Sequence, residues 1–213
     1  MSLERKIKDP IDAKNGTAPL LIMLHGYGSN EEDLFSFSSE LNPKLRIVSF
    51  RAPLNLGMGG YAWYSINFDA DQNKFSDLEQ ARSSMDLLKQ EIEDLQHSYG
   101  NTQENTFLLG FSQGCILSMA LGLNYPKTVS KIIGLSGYLM KELLPEAFDD
   151  LAQVDIYNSH GSMDQVIPVS WAEKTATFME EYHIPYVFET YPAGHGVNPQ
   201  NFFAMRNWLE ARI

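Results

Sequence analysis

The stretch Thr106 to Leu121, TFLLGFSQGCILSMAL, decides how the chain is read. Phe107, Leu108 and Leu109 form a short apolar run, which predicts a buried strand. The run stops at Gly110-Phe111-Ser112-Gln113-Gly114, and a helical apolar pattern through Ile116, Leu117, Met119, Ala120 and Leu123 begins at once. Strand, G-x-S-x-G and helix is the context in which a sharp turn holds a serine in a strained backbone conformation and lifts its hydroxyl out of the sheet. Gly110 and Gly114 are needed because side chains two residues either side of such a turn collide. The pentapeptide alone occurs by chance in roughly one chain in fifteen of this length. The acid, base and oxyanion donors must therefore come from elsewhere in the sequence.

Outward from this unit, strands alternate with helices. Pro19 to Leu24 is a continuous apolar run too short for a helix, hence a central strand buried on both faces, and it ends in His25-Gly26-Tyr27-Gly28. Ser29 and Glu32 are placed to cap a helix over Asn30 to Leu41, and Leu45 to Phe50 is the next strand. A long loop is expected from Arg51 to about Asp71. It carries Gly57, Gly59 and Gly60 with the aromatics Tyr61, Trp63, Tyr64 and Phe68, and loops of that length are often functional. Ser76 and Glu79 read as a capping box for a long amphipathic helix ended by Gly100.

Further on, Lys131 to Leu135, Val154 to Asn158 and Tyr186 to Tyr191 read as strands. Val169 to Tyr182 and the segment from Pro199 read as helices, and Leu139 to Phe148 has no assignable pattern. At the N-terminus, Lys6 to Lys14 shows little pattern, and Asn15-Gly16 offers a hairpin turn. The alternation implies an α/β fold with a mostly parallel sheet covered by helices on both faces, one domain over residues 1–213, and no insertion long enough for a large lid. His25, Ser112, Asp164 and His195 each follow a predicted strand, so all four are expected along one edge of the sheet.

A serine needs a base, and a histidine titrating near neutrality suits that task. Of five histidines, His97 lies on a polar helix face and His183 in a connection at the wrong end of the sheet. His25 and His160 each stand before a glycine just after a strand, where a hydrogen-bonded structural role is expected. His195, between Gly194 and Gly196, is free to project over the elbow and is the candidate base. Asp164, in a loop between nucleophile and base, gives the order Ser, Asp, His, whereas Asp155 lies within a strand and Asp150 before one. The backbone N–H groups of Gln113 and Tyr27 are the candidate oxyanion donors. Met58, Trp63, Tyr64, Leu139, Met140 and Leu143 are candidates for an apolar substrate pocket.

Composition narrows the function further. Sixteen basic against 27 acidic residues give a net charge of −11, which repels phosphate backbones and anionic membranes, so nucleic-acid binding is not expected. The single cysteine, Cys115, excludes an internal disulfide and leaves no cysteine cluster for a metal. It follows the elbow directly, but the first turn of that helix should pack on the sheet and bury it. The charged N-terminus lacks an apolar leader and no run approaches membrane-spanning length, so a cytoplasmic location is expected.

Four segments together resemble the phospholipase/carboxylesterase family of small α/β-hydrolases, which includes the acyl-protein thioesterases. They are Leu24-His25-Gly26-Tyr27-Gly28, Gly110-Phe111-Ser112-Gln113-Gly114, His160-Gly161-x-x-Asp164 with Val166-Ile167-Pro168, and Gly194-His195-Gly196. The resemblance implies a Ser-His-Asp esterase without metal or cofactor, acting on a small-molecule ester, with oxyanion donors at Tyr27 and Gln113. Arg51-Ala52-Pro53 and Gly59-Gly60-Tyr61-Ala62-Trp63-Tyr64 resemble bacterial carboxylesterases more than protein-depalmitoylating members. Short to medium chain esters are therefore expected, with thioesters and lysophospholipids as related acyl donors. Related folds pair, so a homodimer is compatible with the sequence, although no apolar stripe marks an interface. The competing reading is a binding protein on a hydrolase scaffold, and an intact serine, acid and base weigh against it.

Overall fold

A computed structural model describes residues 2–11, 17–68, 74–148, 151 and 153–213. The chain begins with β1 (Arg5–Lys8), followed by β2 (Leu20–Leu24), α1 (Glu32–Phe35), a 3₁₀ turn at Ser36–Ser39 and β3 (Arg46–Phe50). Two short hairpins come next, β4 (Leu54–Gly57) with β5 (Gly60–Ala62), then β6 (Ile66–Phe68) with β7 (Lys74–Ser76). The remainder is α2 (Leu78–Tyr99), β8 (Thr106–Phe111), α3 (Gln113–Asn124), β9 (Lys131–Leu135), β10 (Asp155–Gly161), α4 (Val169–Glu181), β11 (Tyr186–Tyr191) and α5 (Pro199–Glu210).

Seven strands form one sheet in the order β1-β3-β2-β8-β9-β10-β11, parallel throughout except for β1, which runs antiparallel to β3. Alternation along the central strands sends side chains into two cores. Leu20, Ile22 and Leu24 of β2 face one, with Leu108, Ile132 and the apolar sides of α2, α3 and α4. Leu21 and Met23 face the other, with Phe107, Leu109, Ile133 and Leu135, covered by Leu34 of α1 and by Phe202, Met205 and Trp208 of α5. Each such fully buried side chain contributes about 1.5–3 kcal/mol. Helix α3 is apolar all round because it lies buried at the centre of its layer, with every residue from Gln113 to Leu123 buried.

The structure departs from the sequence reading in four places. β1 has only one apolar residue, Ile7, and owes its place to ladder pairing with β3 and to ion pairs of Arg5 with Glu91 and Lys6 with Glu32. The helix expected over Asn30 to Leu41 is one turn of α-helix running into 3₁₀, since the Ser36 hydroxyl bonds the Asp33 carbonyl and competes with the helical ladder. Ser29 does not cap it: the N-cap is Glu31, which makes no side-chain capping bond, while Asn30 Oδ1 accepts from Glu32 N–H in a turn just before the helix and the Ser29 hydroxyl bonds Asp33. The start of α2 is capped by Asp77, whose carboxylate accepts from Gln80 N–H at 3.0 Å, because Ser76 is still paired in β7. Finally, the long loop after β3 is the pair of hairpins. The Asn15-Gly16 turn and the loop end at Asp71 fall outside the described residues.

Strand register aligns the carboxyl ends of the sheet. Leu24 pairs with Gly110, Phe111 with Leu135, and Gly161 with Tyr191. The residues that follow these positions are therefore brought to one edge.

Candidate active site

Ser112 sits between β8 and α3 with φ 53° and ψ −113°, a conformation that L-residues rarely adopt. Its own N–H is held by the Leu135 carbonyl at 2.8 Å. The two flanking glycines allow the turn. A Cβ on Gly110 would lie 2.3 Å from the Gly114 carbonyl oxygen, and one on Gly114 would lie 2.1 Å from the Leu24 carbonyl oxygen. The hydroxyl is left at the floor of a cavity of about 280 Å³ that His195, Tyr27 and Gln113 also border.

The His195 and Asp164 loops are joined. Ser162 N–H donates to Tyr191 O and Met163 N–H to Ala193 O, at 2.8 and 3.0 Å. Gly161 makes that approach feasible, since a Cβ there would meet the Gly194 carbonyl at 2.1 Å. His195 Nε2 lies 2.9 Å from Ser112 Oγ and His195 Nδ1 lies 2.7 Å from Asp164 Oδ2, with the imidazole resting on the Phe111 ring. Asp164 Oδ1 accepts from the N–H groups of Val166 and Ile167 at 2.8 and 2.9 Å. Burial pulls the Asp164 carboxyl upward, but the His195 contact and these two amides outweigh it and hold it below its ordinary value. An ionised carboxylate only accepts, so the proton sits on His195 Nδ1 and the Nε2 lone pair faces the serine hydroxyl. Such an arrangement can take a proton from Ser112 and hold the resulting imidazolium against a buried anion.

None of the other histidines reaches Ser112, although His160 touches Asp164 from behind. His25 is buried, with Nδ1 bonded to the Gly26 carbonyl at 2.7 Å and Nε2 accepting from Ala52 N–H at 3.0 Å. His160 is also buried, bonded through Nε2 to the Ile167 carbonyl at 2.9 Å, and that nitrogen stands 3.2 Å from Asp164 Oδ2. His97 and His183 are exposed. Cys115 is fully buried, and burial pushes its thiol well up.

Of the candidate pocket residues, Tyr64 lines the cavity above Ser112. Leu139 and Met140 line a second cavity of about 470 Å³, and the two cavities meet at Ser76, Tyr138 and Trp171. Met58 and Trp63 border neither. Met58 stands fully exposed at the tip of the β4–β5 hairpin with φ 51°, while Trp63 is completely buried and donates its indole N–H to the His25 carbonyl at 2.9 Å. Leu143 is core. Sequence reasoning missed Tyr138 and Trp171, whose rings meet edge to face at 4.9 Å between the cavities. Their signal was position: Tyr138 follows the end of β9, and Trp171 begins the helix after the Asp164 loop. Burial pushes the Tyr138 hydroxyl up to about 12, so it stays neutral.

Among the described residues, no helix is long and apolar enough to cross a membrane. Residues 7–213 match the model of the phospholipase/carboxylesterase family. The chain is 30% identical over 190 residues to acyl-protein thioesterase 1 of Kluyveromyces lactis, covering 81% of this chain and 82% of that protein. It is 27% identical to carboxylesterase SOBER1 of Arabidopsis thaliana, over 91% of this chain and 90% of the relative. Among solved structures, esterase PE8 superposes over the whole of both chains with a TM-score of 0.85 at 23% identity. A Bacillus cereus carboxylesterase superposes with a TM-score of 0.82 at 16% identity, over 99% of this chain and 95% of the other. The match across nearly the whole chain places this protein in the phospholipase/carboxylesterase family, as an α/β-hydrolase and a hydrolytic enzyme.

Proposed function

We propose that this chain is a serine carboxylesterase, a single domain that cleaves small-molecule esters of short to medium acyl chains through an acyl-enzyme on Ser112. One observation carries the reading: His195 reaches Ser112 Oγ at 2.9 Å with one ring nitrogen and Asp164 at 2.7 Å with the other. His195 deprotonates Ser112, whose Oγ attacks the carbonyl carbon. The oxyanion rests on the backbone N–H groups of Tyr27 and Gln113, each such donor worth about 2.7–4 kcal/mol. The imidazolium then gives its proton to the leaving alcohol or thiol, and a water activated by His195 releases the acid. Asp164 orients the ring throughout.

The layers support one direction for the acyl chain. His195 approaches Ser112 from the side of Phe111, which packs against the core under α1 and α5. The leaving group takes its proton from His195 and departs on that side. The 470 Å³ cavity lies over the opposite core, with Leu139, Met140 and Phe178 in its wall, and it accommodates the acyl part. Thioesters and lysophospholipids share this acyl geometry and are secondary candidates.

The reading is tested by hydrolysis of p-nitrophenyl esters from acetate to palmitate by the wild type and Ser112→Ala. Turnover in the wild type with an optimum at short or medium chains, lost in the variant, is expected. A folded wild type inert to every ester would replace this reading with ligand binding without turnover.

A further inference from the structure

The two candidate oxyanion amides belong to different loops, one after β2 and one after β8. The last pairing between these strands is Leu24 with Gly110, so the sheet itself does not fix how far apart Tyr27 and Gln113 come to rest. A third segment, Gly60 to Tyr64, touches both. On the Tyr27 side, Gly28 N–H donates to Tyr61 O and Tyr61 N–H donates to Ser29 O, both at 2.8 Å, while Asn30 Nδ2 donates to Gly59 O at 3.0 Å. Gly60 lies so close that an added Cβ would stand 2.7 Å from the Gly28 carbonyl oxygen. On the elbow side, Trp63 N–H donates to Gln113 Oε1 and Gln113 Nε2 donates to Tyr64 O, both at 2.8 Å. The segment is itself anchored: the Trp63 indole N–H bonds the His25 carbonyl, and the Ser84 hydroxyl of α2 bonds the Trp63 carbonyl.

We propose that Gly60 to Tyr64 is a brace that sets the spacing of the two oxyanion donors, with Gly60 and the side chain of Gln113 as positioning residues. This rests on the reading that the Tyr27 and Gln113 amides hold the oxyanion. The buried glutamine is costly to desolvate unless both ends of its amide are satisfied, and here the brace backbone satisfies both. Its backbone N–H serves the reaction and its side chain fixes where that N–H points. Gly60 performs the matching task for the Tyr27 loop, because only a residue without Cβ lets two backbones lie in contact.

The test compares Gly60→Ala and Gln113→Met with the wild type, using Met58→Ala at the exposed hairpin tip as the unaffected control. Three quantities are measured: kcat and KM on one p-nitrophenyl ester, affinity for an alkyl boronic acid that forms a tetrahedral adduct on Ser112, and amide exchange at Gly28 and Trp63. Both variants are expected to lose kcat by about ten- to a hundredfold with KM little changed. Boronate affinity should fall in parallel, and exchange should quicken at Gly28 in the first variant and at Trp63 in the second. Wild-type kcat and boronate affinity in both folded variants would overturn the proposal. If Gly60→Ala does not fold, Gln113→Met decides alone. Exchange is read without turnover, so unchanged exchange refutes the brace even if no ester is hydrolysed. Quickened exchange in a protein without Ser112-dependent hydrolysis supports the contacts and refutes the esterase reading instead.

Discussion

Replacing Asp164 with asparagine reverses the polarity of one hydrogen bond in the relay and keeps its shape. The surrounding donors favour one orientation of the new side chain. Its oxygen takes the place of Oδ1, because an amide nitrogen there would face the N–H groups of Val166 and Ile167 at 2.8 and 2.9 Å, whereas at the Oδ2 position it faces, besides His195, only the more distant His160 Nε2, 3.2 Å away. The amide nitrogen then falls where Oδ2 was, 2.7 Å from His195 Nδ1, and donates to it. His195 must carry its proton on Nε2 instead, where it points at Ser112 Oγ from 2.9 Å and has no lone pair to receive the serine proton. The magnitude expected for a triad held in the wrong tautomer is about 10⁴ in kcat, or about 5.5 kcal/mol of transition-state stabilisation. The assay is kcat/KM on a p-nitrophenyl ester near neutral pH, with Ser112→Ala as the floor and circular dichroism to establish folding. A folded Asp164→Asn enzyme within tenfold of wild type would refute the reasoning, since it would mean that His195 does not depend on Asp164 for its tautomer.

Three further outcomes follow from the geometry. Ser112→Gly and Ser112→Ala both lose the hydroxyl, but only glycine relieves φ 53°, so the glycine variant should be more stable by about 1–3 kcal/mol in urea unfolding, and equal stability would deny the strain. Met140→Trp fills part of the 470 Å³ cavity and should move the chain-length optimum toward acetate; an unchanged profile would place the acyl chain elsewhere. For His25, desolvation lowers the imidazole pKa in the folded protein despite its bond to Gly26, so below about 6.5 the unfolded chain takes up a proton that the folded one does not. Stability should therefore decline as pH falls from about 6.5, by at most about 1.4 kcal/mol per pH unit from this group, and the decline should shrink in His25→Gln. Asp164 adds stability through a carboxyl held below its ordinary value: its contribution is full above about 3.8 and is lost as pH falls through the lower folded value.

Periodicity made the central sheet legible, because β2, β8 and β9 are short runs of apolar residues whose burial on both faces leaves little choice of structure. The edge strand β1 escaped notice since its charged sequence is stabilised by a neighbour's backbone and by Glu91 and Glu32, neither of which leaves a local pattern. Ser112, Asp164 and His195 could be singled out because each occupies a short loop directly after a strand, and parallel register carries such loops to one edge. The pocket was less legible for the opposite reason. Whether an aromatic in a glycine-rich segment faces substrate or core depends on how two small hairpins fold back, and that turns on contacts such as Gly60 against Gly28. Thus Trp63 was drawn into the core by its bond to His25, Met58 was carried outward by the hairpin tip, and Tyr138 and Trp171 supplied the walls.

The measurement that bears most directly on the central claim is rapid acid quench of the enzyme mixed with a p-nitrophenyl ester, followed by mass spectrometry of the digested protein. The account predicts a burst of p-nitrophenol and an acyl group on the peptide bearing Ser112, both missing in Ser112→Ala. Hydrolysis that persists in Ser112→Ala, or an acyl group found on another residue, would contradict it.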